Sequence, residues 1–184
     1  MKDRITAAVL FYPTLALNVL LGRVLTVRNW WDAVDDYVVL GALPFKSDVR
    51  KLSDEGVGAV VNTCHEYPGP TEEYEKFGIA QLRVPTVDFT HPTFESVERA
   101  VTFMEEQADA GNKIYVHCKA GRARSATVVM CWLIKRDQIT AQQAQQRLLD
   151  VRSHVNPRLP QRPVIQQYES KYLNAAEASP EASP

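Results

Sequence analysis

The sequence predicts an α/β fold in which a central, mostly parallel sheet is flanked by helices. Short β-type runs alternate with helical patterns along the chain, and the run at residues 113–117 leads directly into a glycine-containing loop. Residues 125–135 are apolar on nearly every face, which indicates a buried central helix. With 184 residues and 45% hydrophobic content, the chain is long enough for one domain with a buried core.

The first half of the chain predicts three strands and one helix. Residues 37–41 form a β-type run that ends at a glycine, and residues 58–63 form an apolar run typical of a buried strand. Residues 79–84 alternate apolar with polar side chains, which indicates a third strand. The region between the first two strands, residues 44–54, is predicted to be helical.

The second half is predicted to be mainly helical. Its clearest helix carries apolar residues at steps of three and four: Phe94, Val97, Val101, Met104 and Ala108. Thr93 is placed to cap this helix and Gly111 to end it. Thr140 and Gln143 form a capping-box pattern at the start of a later helix, and residues 163–173 predict the last one.

Charge and cysteine content exclude several classes of function. Lys and Arg total 21 against 22 Asp and Glu, so the overall charge does not indicate a nucleic-acid partner. The cysteines, Cys64, Cys118 and Cys131, are irregularly spaced, which argues against a disulfide framework and against a zinc site. We therefore expect an intracellular protein with reduced thiols.

Residues 117–125 read His-Cys-Lys-Ala-Gly-Arg-Ala-Arg-Ser and lie between the last predicted strand and the buried helix. Backbone N–H groups in such a turn converge on one point, and the helix N-terminus adds partial positive charge, so the loop can bind an anion. Cys118 stands at the end of the strand within this field, which favours its thiolate and lowers its pKa below the free value of about 8.5. A thiolate here can act as the nucleophile in phosphoryl transfer.

The other loop residues suit the same chemistry. Arg124 can fold back over the loop and donate paired N–H groups to two phosphate oxygens. The hydroxyl of Ser125 can donate to the sulfur and help the thiolate to leave. The predicted phosphate-binding residues are Lys119, Ala120, Gly121, Arg122, Ala123 and Arg124. Each residue alone is more often part of an ordinary core or surface turn, but together they indicate phosphate chemistry. Cys64 and Cys131 are predicted to be structural.

This loop resembles the signature loop of the cysteine-based protein-tyrosine and dual-specificity phosphatases. The resemblance extends over approximately residues 36–173 and implies their fold, with no metal and no other cofactor. It also implies a general acid upstream of the cysteine. Asp88, in the stretch Pro-Thr-Val-Asp-Phe-Thr at residues 85–90, has the position expected of that acid.

Further short matches narrow the family to one branch. They lie at residues 10–15, 39–44, 66–67, 86–88 and 116–123. These stretches are similar to the mitochondrial phosphatidylglycerophosphate phosphatases of cardiolipin biosynthesis, which implies a phospholipid substrate. In that family a Glu-Glu-Tyr-Glu stretch takes part in recognition of the lipid glycerol. Here only Glu66 and Tyr67 match it, because His65 and Pro68 replace the outer residues, so a role in substrate binding is expected for those two alone.

The two ends of the chain differ from its middle. Residues 4–28 contain three arginines and no acid around a mostly apolar stretch. Residues 1–31 are therefore expected to be a targeting or membrane-interface segment, although an ordinary packed helix fits the same pattern. Residues 32–173 are expected to form the phosphatase catalytic domain. Residues 174–184, built from Asn, Ala, Glu, Ser and Pro, are expected to be a disordered tail.

The branch implies a location and partners. We expect the enzyme on the matrix face of the mitochondrial inner membrane, in contact with the membrane surface, and with no nucleic-acid or protein partner. Three other functions use the same loop: a dual-specificity protein tyrosine/serine/threonine phosphatase, a phosphoinositide phosphatase, and a phosphate-binding module without turnover. The loop alone indicates phosphate and does not choose between them.

Overall fold

The structure is a computed structural model that describes residues 2–173, with side chains from residue 11 onward; the predicted tail lies outside these residues. One sheet contains the strands β1 (Trp31–Ala33), β2 (Val38–Gly41), β3 (Val57–Cys64), β4 (Ala80–Thr86) and β5 (Lys113–His117). The α-helices are α1 (Lys2–Val19), α2 (Val49–Asp54), α3 (Thr71–Lys76), α4 (Phe94–Asp109), α5 (Arg124–Asp137), α6 (Ala141–Val151) and α7 (Pro163–Tyr172).

The sheet has the strand order β1-β2-β5-β3-β4. Strands β2, β5, β3 and β4 are parallel, and only β1 pairs antiparallel, with Trp31 opposite Gly41. This arrangement confirms the predicted fold class. Strand β1 was not predicted, because a three-residue edge strand is too short to show a period of two.

Most predicted elements are present with small shifts at their ends. Thr93 caps α4 by accepting a hydrogen bond from the Ser96 N–H, and Thr140 and Gln143 form the predicted capping box of α6. The helix predicted at residues 44–54 begins later, as a 3-10 turn at Lys46–Asp48 that continues into α2. Helix α3 was missed because its six residues carry too few apolar side chains to show a helical period.

Helix α5 is the centre of the main core. Every side chain from Arg124 to Ile134 is buried, and the helix packs against the sheet and against α4, α6 and α7. Strand β5 lies in the middle of the sheet, with Ile114 through His117 fully buried. A smaller cluster around Tyr74 and Tyr115 covers the other face. The end of β5 is therefore held from both sides, which fixes the position of the loop that follows.

The N-terminal segment contacts the rest of the chain. Helix α1 continues as a π-helical turn at Leu20–Val24. Phe11 is 5% exposed and packs with Leu43 and Cys64, while Asn18 donates a hydrogen bond to the Lys119 carbonyl at 3.3 Å. Several large apolar side chains of the same segment stay exposed: Tyr12, Leu17, Leu20, Val24, Leu25 and Val27. Within residues 2–173, no helix is both long and apolar enough to span a bilayer.

Candidate active site

The parallel strands bring the predicted site residues to one edge of the sheet. Strands β3, β4 and β5 run in the same direction, so their carboxyl ends meet there. Cys118 follows β5, Glu66 lies two residues beyond β3, and Asp88 lies two residues beyond β4. Side chains from three separate strand ends therefore converge around the loop.

The loop between β5 and α5 depends on Gly121. This residue has φ of +65°, a conformation that side chains with a β-carbon rarely adopt. A β-carbon at Gly121 would also lie 2.6 Å from the backbone carbon and oxygen of Gly41. The loop can therefore approach β2 this closely only with glycine at this position.

Arg152 holds the loop from behind, and sequence analysis did not identify it. Its side chain is buried and donates hydrogen bonds to the Gly121 carbonyl at 3.0 Å and the Ala120 carbonyl at 3.1 Å. Its charge is matched by Asp32, with an N–O distance of 2.5 Å. Because the carbonyl oxygens of Gly121 and Ala120 accept hydrogen bonds from Arg152, they point away from the cavity. No sequence motif marks either partner, since they lie in β1 and at the end of α6.

Cys118 is poised to be a thiolate. Burial by itself would raise the pKa of this thiol, but the charge of Arg124 and three donors outweigh it and lower the pKa to about 6. The donors are the Ser125 hydroxyl, 3.3 Å from Sγ, and the backbone N–H groups of Ser125 and Ala120. Cys118 is therefore largely ionised near pH 7, as a nucleophile requires.

The two other cysteines show what the loop contributes. Cys131 is also fully buried, on α5, and burial raises its pKa well above the ordinary value. Burial raises the pKa of Cys64 to about 12, where Arg124 offsets only part of the effect. Both remain protonated thiols near neutral pH, which agrees with the structural role predicted for them.

Arg124 is held above the sulfur by groups from β3 and β4. Its Nη1 donates to Glu66 at 2.7 Å and to the Thr86 carbonyl at 2.8 Å. Its Nη2 lies 3.1 Å from Asp88 Oδ1, but the angle is not that of a hydrogen bond. A buried N–H group of Arg124 is thus left without a hydrogen-bond partner in the described part of the chain, available to a phosphate oxygen.

Glu66 and Asp88 are linked to each other as well as to Arg124. Glu66 Oε1 accepts a hydrogen bond from the Asp88 N–H at 2.9 Å, which fixes the backbone of the predicted acid. Burial would raise the pKa of Glu66, but its hydrogen bond and charge interaction with Arg124 lower the pKa overall. Glu66 therefore stays ionised and acts on Arg124 rather than lining the cavity.

Lys119 joins the loop to the N-terminal segment. Its buried ammonium group is paired with Asp88 and donates to the Thr14 hydroxyl at 2.6 Å. It also lies 5.4 Å from the ring centre of Phe11 and 5.5 Å from that of Phe89. The predicted acid and a loop cation are therefore in direct contact before any phosphate is bound.

Tyr67 does not reach the cavity. Its hydroxyl donates to the Pro44 carbonyl at 3.0 Å, and burial raises its pKa to about 12. Its predicted contact with substrate stays a prediction.

His117 lies in the core, fully buried beside Tyr115. Burial lowers its pKa to about 3, so its ring is neutral near pH 7.

A cavity of about 620 Å³ opens above the sulfur. Its lining includes the loop residues Cys118, Lys119, Ala120, Arg122, Ala123 and Arg124. Asp88 and Phe89 border it on one side, and Leu17 of α1 on another. Arg28, Arg158 and Arg162 also line it, and sequence analysis identified none of these three as site residues. The cavity combines a nucleophile, a carboxylate and several cations, which suits hydrolysis of a phosphate ester.

Comparisons with known proteins agree with this chemistry. The family model described as dual specificity phosphatase, catalytic domain, matches residues 38–171. The phosphatidylglycerophosphate phosphatase PTPMT2 of Arabidopsis thaliana is 37% identical over 87% of this chain and 72% of its own length. The phosphatidylglycerophosphatase and protein-tyrosine phosphatase 1 of Mus musculus is 39% identical over 88% of this chain and 89% of its own length.

Solved structures of phosphatases are also similar to this chain. The crystal structure of PTPMT1 has a TM-score of 0.73 and 34% identity, and the match covers 82% of this chain and all of that one. The crystal structure of Tk-PTP in its active form has a TM-score of 0.71 and 26% identity, over 77% of this chain and 97% of that one. The chain therefore belongs to the dual specificity phosphatase family, within the branch of the phosphatidylglycerophosphate phosphatases, and is a phosphatase that hydrolyses phosphate monoesters.

Proposed function

We propose that this enzyme removes the terminal phosphate of phosphatidylglycerophosphate to give phosphatidylglycerol, a step of cardiolipin biosynthesis. The observation that carries the proposal is the identity of 37–39% to phosphatidylglycerophosphate phosphatases over most of the chain. The cavity supports it, because a nucleophilic cysteine lies at its floor while apolar side chains, Leu17 and Phe89, border its opening. The headgroup phosphate would lie against the cysteine, and the adjoining part of the lipid would lie against Leu17 and Phe89.

In the first step the Cys118 thiolate attacks phosphorus, so that a P–S bond forms as the P–O bond to glycerol breaks. The loop N–H groups and Arg124 bind the equatorial oxygens and stabilise their charge in the transition state. Asp88 takes part in this step as the protonated carboxylic acid and donates its proton to the departing glycerol oxygen. Binding of the phosphate between Arg124 and Lys119 would replace the ion pairs that both cations now make with Asp88.

In the second step water hydrolyses the phosphocysteine. Asp88, now a carboxylate, accepts a proton from the water, and the S–P bond breaks to regenerate the thiolate. The Ser125 hydroxyl, 3.3 Å from Sγ, donates to the sulfur and stabilises it as a leaving group. The same donor that lowers the pKa of Cys118 thus serves the return of the thiolate.

The substrate proposal is tested by direct comparison of phosphate release. Purified enzyme is given phosphatidylglycerophosphate, PI(5)P and a phosphotyrosine peptide, with both lipids at the same surface density in the same vesicles. We expect the highest kcat/KM for phosphatidylglycerophosphate. A higher kcat/KM for the peptide would reject the lipid assignment, and Asp88→Asn, measured in parallel, controls for contaminating phosphatases.

A phosphoinositide phosphatase is the second candidate. The related PTPMT1 has been crystallised in complex with PI(5)P, with a TM-score of 0.73 to this chain. The loop cations Lys119 and Arg122, which line the cavity, could meet further phosphates of a more highly phosphorylated inositol headgroup. The same assay decides this case, since a preference for PI(5)P would replace the first proposal.

We also propose that the enzyme works at a membrane surface, on the matrix face of the mitochondrial inner membrane. Apolar side chains of the N-terminal segment are exposed, among them Leu20, Val24 and Val27, and Leu17 and Arg28 of the same segment line the cavity. Each apolar side chain that enters the interface contributes roughly 1.5–3 kcal/mol, so a few of them suffice for reversible attachment.

This location has two tests. Changing Leu20, Val24 and Val27 together to Ser should abolish binding to phospholipid vesicles while activity on a soluble aryl phosphate persists. Val151→Ser, at an exposed apolar position on α6, is the matched control. Unchanged vesicle binding by the triple variant would reject this surface.

A fusion of residues 1–31 to a fluorescent protein should enter mitochondria, and a diffuse signal would contradict the proposed location.

A further inference from the structure

The cavity carries more positive charge than one phosphate needs. Six cationic side chains line it: Arg28, Lys119, Arg122, Arg124, Arg158 and Arg162. Among the described residues, the negative groups that line it are Asp88 and the thiolate of Cys118. A dianionic phosphate monoester would cancel only half of the remaining excess. Like charges gathered in a partly enclosed cavity repel each other, so this arrangement favours a ligand with a further negative charge.

Four of these cations are already committed to other contacts. Lys119 and Arg124 are paired with carboxylates. Arg122 Nε donates to the His154 carbonyl at 2.7 Å, and Arg162 Nη1 donates to the Thr127 hydroxyl at 2.6 Å. These contacts fix the segment after α6 against the loop, which is a structural role as well as an electrostatic one.

Arg28 and Arg158 are different. Within the described part of the chain, neither guanidinium makes a hydrogen bond or an ion pair. Arg28 follows the π-helical turn and Arg158 lies between α6 and α7, so two distant segments supply them. Burial lowers the pKa of Arg28, and the nearby positive charges of Arg122 and Arg152 lower it further, which indicates that Arg28 lies close to other guanidinium groups. We call Arg28 and Arg158 the rim pair.

We infer that the rim pair binds a second anionic group of the same substrate molecule, a phosphodiester joined through a short polyol to the phosphate that Cys118 attacks. This inference rests on the proposed function and deepens it, because phosphatidylglycerophosphate carries such a diester across its glycerol. Guanidinium groups bind phosphate oxygens through paired N–H donors, and unpartnered ones need not break an existing contact to do so. The rim pair would then distinguish this lipid from esters that carry a single phosphate.

Steady-state kinetics with two substrates tests the inference. The enzyme, Arg28→Gln, Arg158→Gln and the double variant are compared on monomeric dihexanoyl phosphatidylglycerophosphate and on p-nitrophenyl phosphate. For each single change we expect kcat/KM to fall about tenfold more on the lipid than on the aryl phosphate, mainly through KM. Arg136→Gln is the matched control, since Arg136 lies on α5 about 18 Å along the helix from Arg124.

A competition experiment keeps this inference separate from the choice of substrate. Glycerol 1,3-bisphosphate and glycerol 3-phosphate are compared as inhibitors of aryl phosphate hydrolysis. The enzyme should bind the bisphosphate at least tenfold more tightly, and the double variant should lose that preference. If the preference is present but phosphatidylglycerophosphate is not turned over, the proposed function fails and the second anion site stands.

Two results would overturn the inference. One is an equal loss on both substrates in the rim variants together with no preference for the bisphosphate. The other is a loss seen only with lipid in anionic vesicles and absent with monomeric lipid, which would assign the rim pair to the headgroups of neighbouring lipids. Monomeric substrate below its micelle concentration separates these sources, because no second lipid is then present.

Discussion

The floor of the cavity, around Cys118 and Arg124, and its rim, at Arg28 and Arg158, both contain arginine, but the contacts of these arginines differ. At the floor, Arg124 is 2% exposed and is held by Glu66, the Thr86 carbonyl and Asp88. At the rim, the guanidinium groups of Arg28 and Arg158 make no hydrogen bond or ion pair among the described residues. The side chains of the floor are held in position before substrate binds, whereas those of the rim gain their hydrogen-bond partners when it binds.

This difference assigns separate tasks to the two regions. A preorganised floor stabilises charge in the transition state without reorganising at the moment of reaction. Rim groups that gain partners only on binding act on the ground state and the transition state alike, so they affect KM. Substitutions at the floor should therefore lower kcat, and substitutions at the rim should raise KM.

The largest effect is expected at the nucleophile. Cys118→Ser should reduce turnover to background, because a serine hydroxyl in this loop is not ionised near pH 7. Binding of tungstate, measured by its effect on thermal stability, should persist, since the loop N–H groups and Arg124 supply the oxygen contacts. Steady-state turnover by the serine variant would remove Cys118 from its role.

The next effect concerns the acid. Asp88→Asn should lower kcat by roughly 10²–10⁴ on an alkyl phosphate, the span typical of general acid–base catalysis. The loss should be smaller on p-nitrophenyl phosphate, whose leaving group needs less protonation. Equal losses on both substrates would show that Asp88 acts by positioning Lys119 and Arg124 instead.

A smaller effect is expected at the ion pair between Asp32 and Arg152, which supports the loop. Asp32→Asn leaves the buried Arg152 without its counter-charge, which should lower the free energy of unfolding by about 3–5 kcal/mol. The loop that Arg152 holds should also bind tungstate more weakly. Chemical denaturation measures the first effect, with Asp54→Asn, at an exposed position on α2, as the control. Equal stability of the two variants would refute the role of Arg152 in holding the loop.

The smallest change concerns the ionisation of Cys118. Its pKa of about 6 depends in part on the Ser125 hydroxyl, which stabilises the thiolate and not the thiol. Ser125→Ala should therefore raise the pKa, and the midpoint of the pH profile of iodoacetamide inactivation should move to higher pH. Ser170→Ala, at an exposed position on α7, should leave the midpoint unchanged. A midpoint unchanged in Ser125→Ala would contradict the proposed donor.

The two regions also differ in how far sequence predicts them. The floor was predicted because residues 117–125 are contiguous and their order follows the chemistry of phosphate binding. The rim pair and Arg152 were not predicted, since they meet only through the tertiary fold and no spacing connects them. For Tyr67 a motif match predicts a role in substrate binding, which stays a prediction; its hydroxyl donates a hydrogen bond to the Pro44 carbonyl.

The fold shows a similar division. Long elements with a clear period, such as α4 and the buried α5, were predicted with small shifts at their ends. The three-residue β1 and the short α3 were missed, because their stability depends on neighbours more than on their own pattern. Asp32, the partner of Arg152, lies in one of these missed elements.

The most direct test of the account is to trap the covalent intermediate with the proposed substrate. Enzyme is mixed with phosphatidylglycerophosphate that carries ³²P in its terminal phosphate, quenched within milliseconds, and digested for mass spectrometry. The account predicts a labelled phosphocysteine at Cys118 that forms and decays at rates consistent with turnover. Consumption of the lipid with no label on Cys118, or with label on another residue, would contradict it.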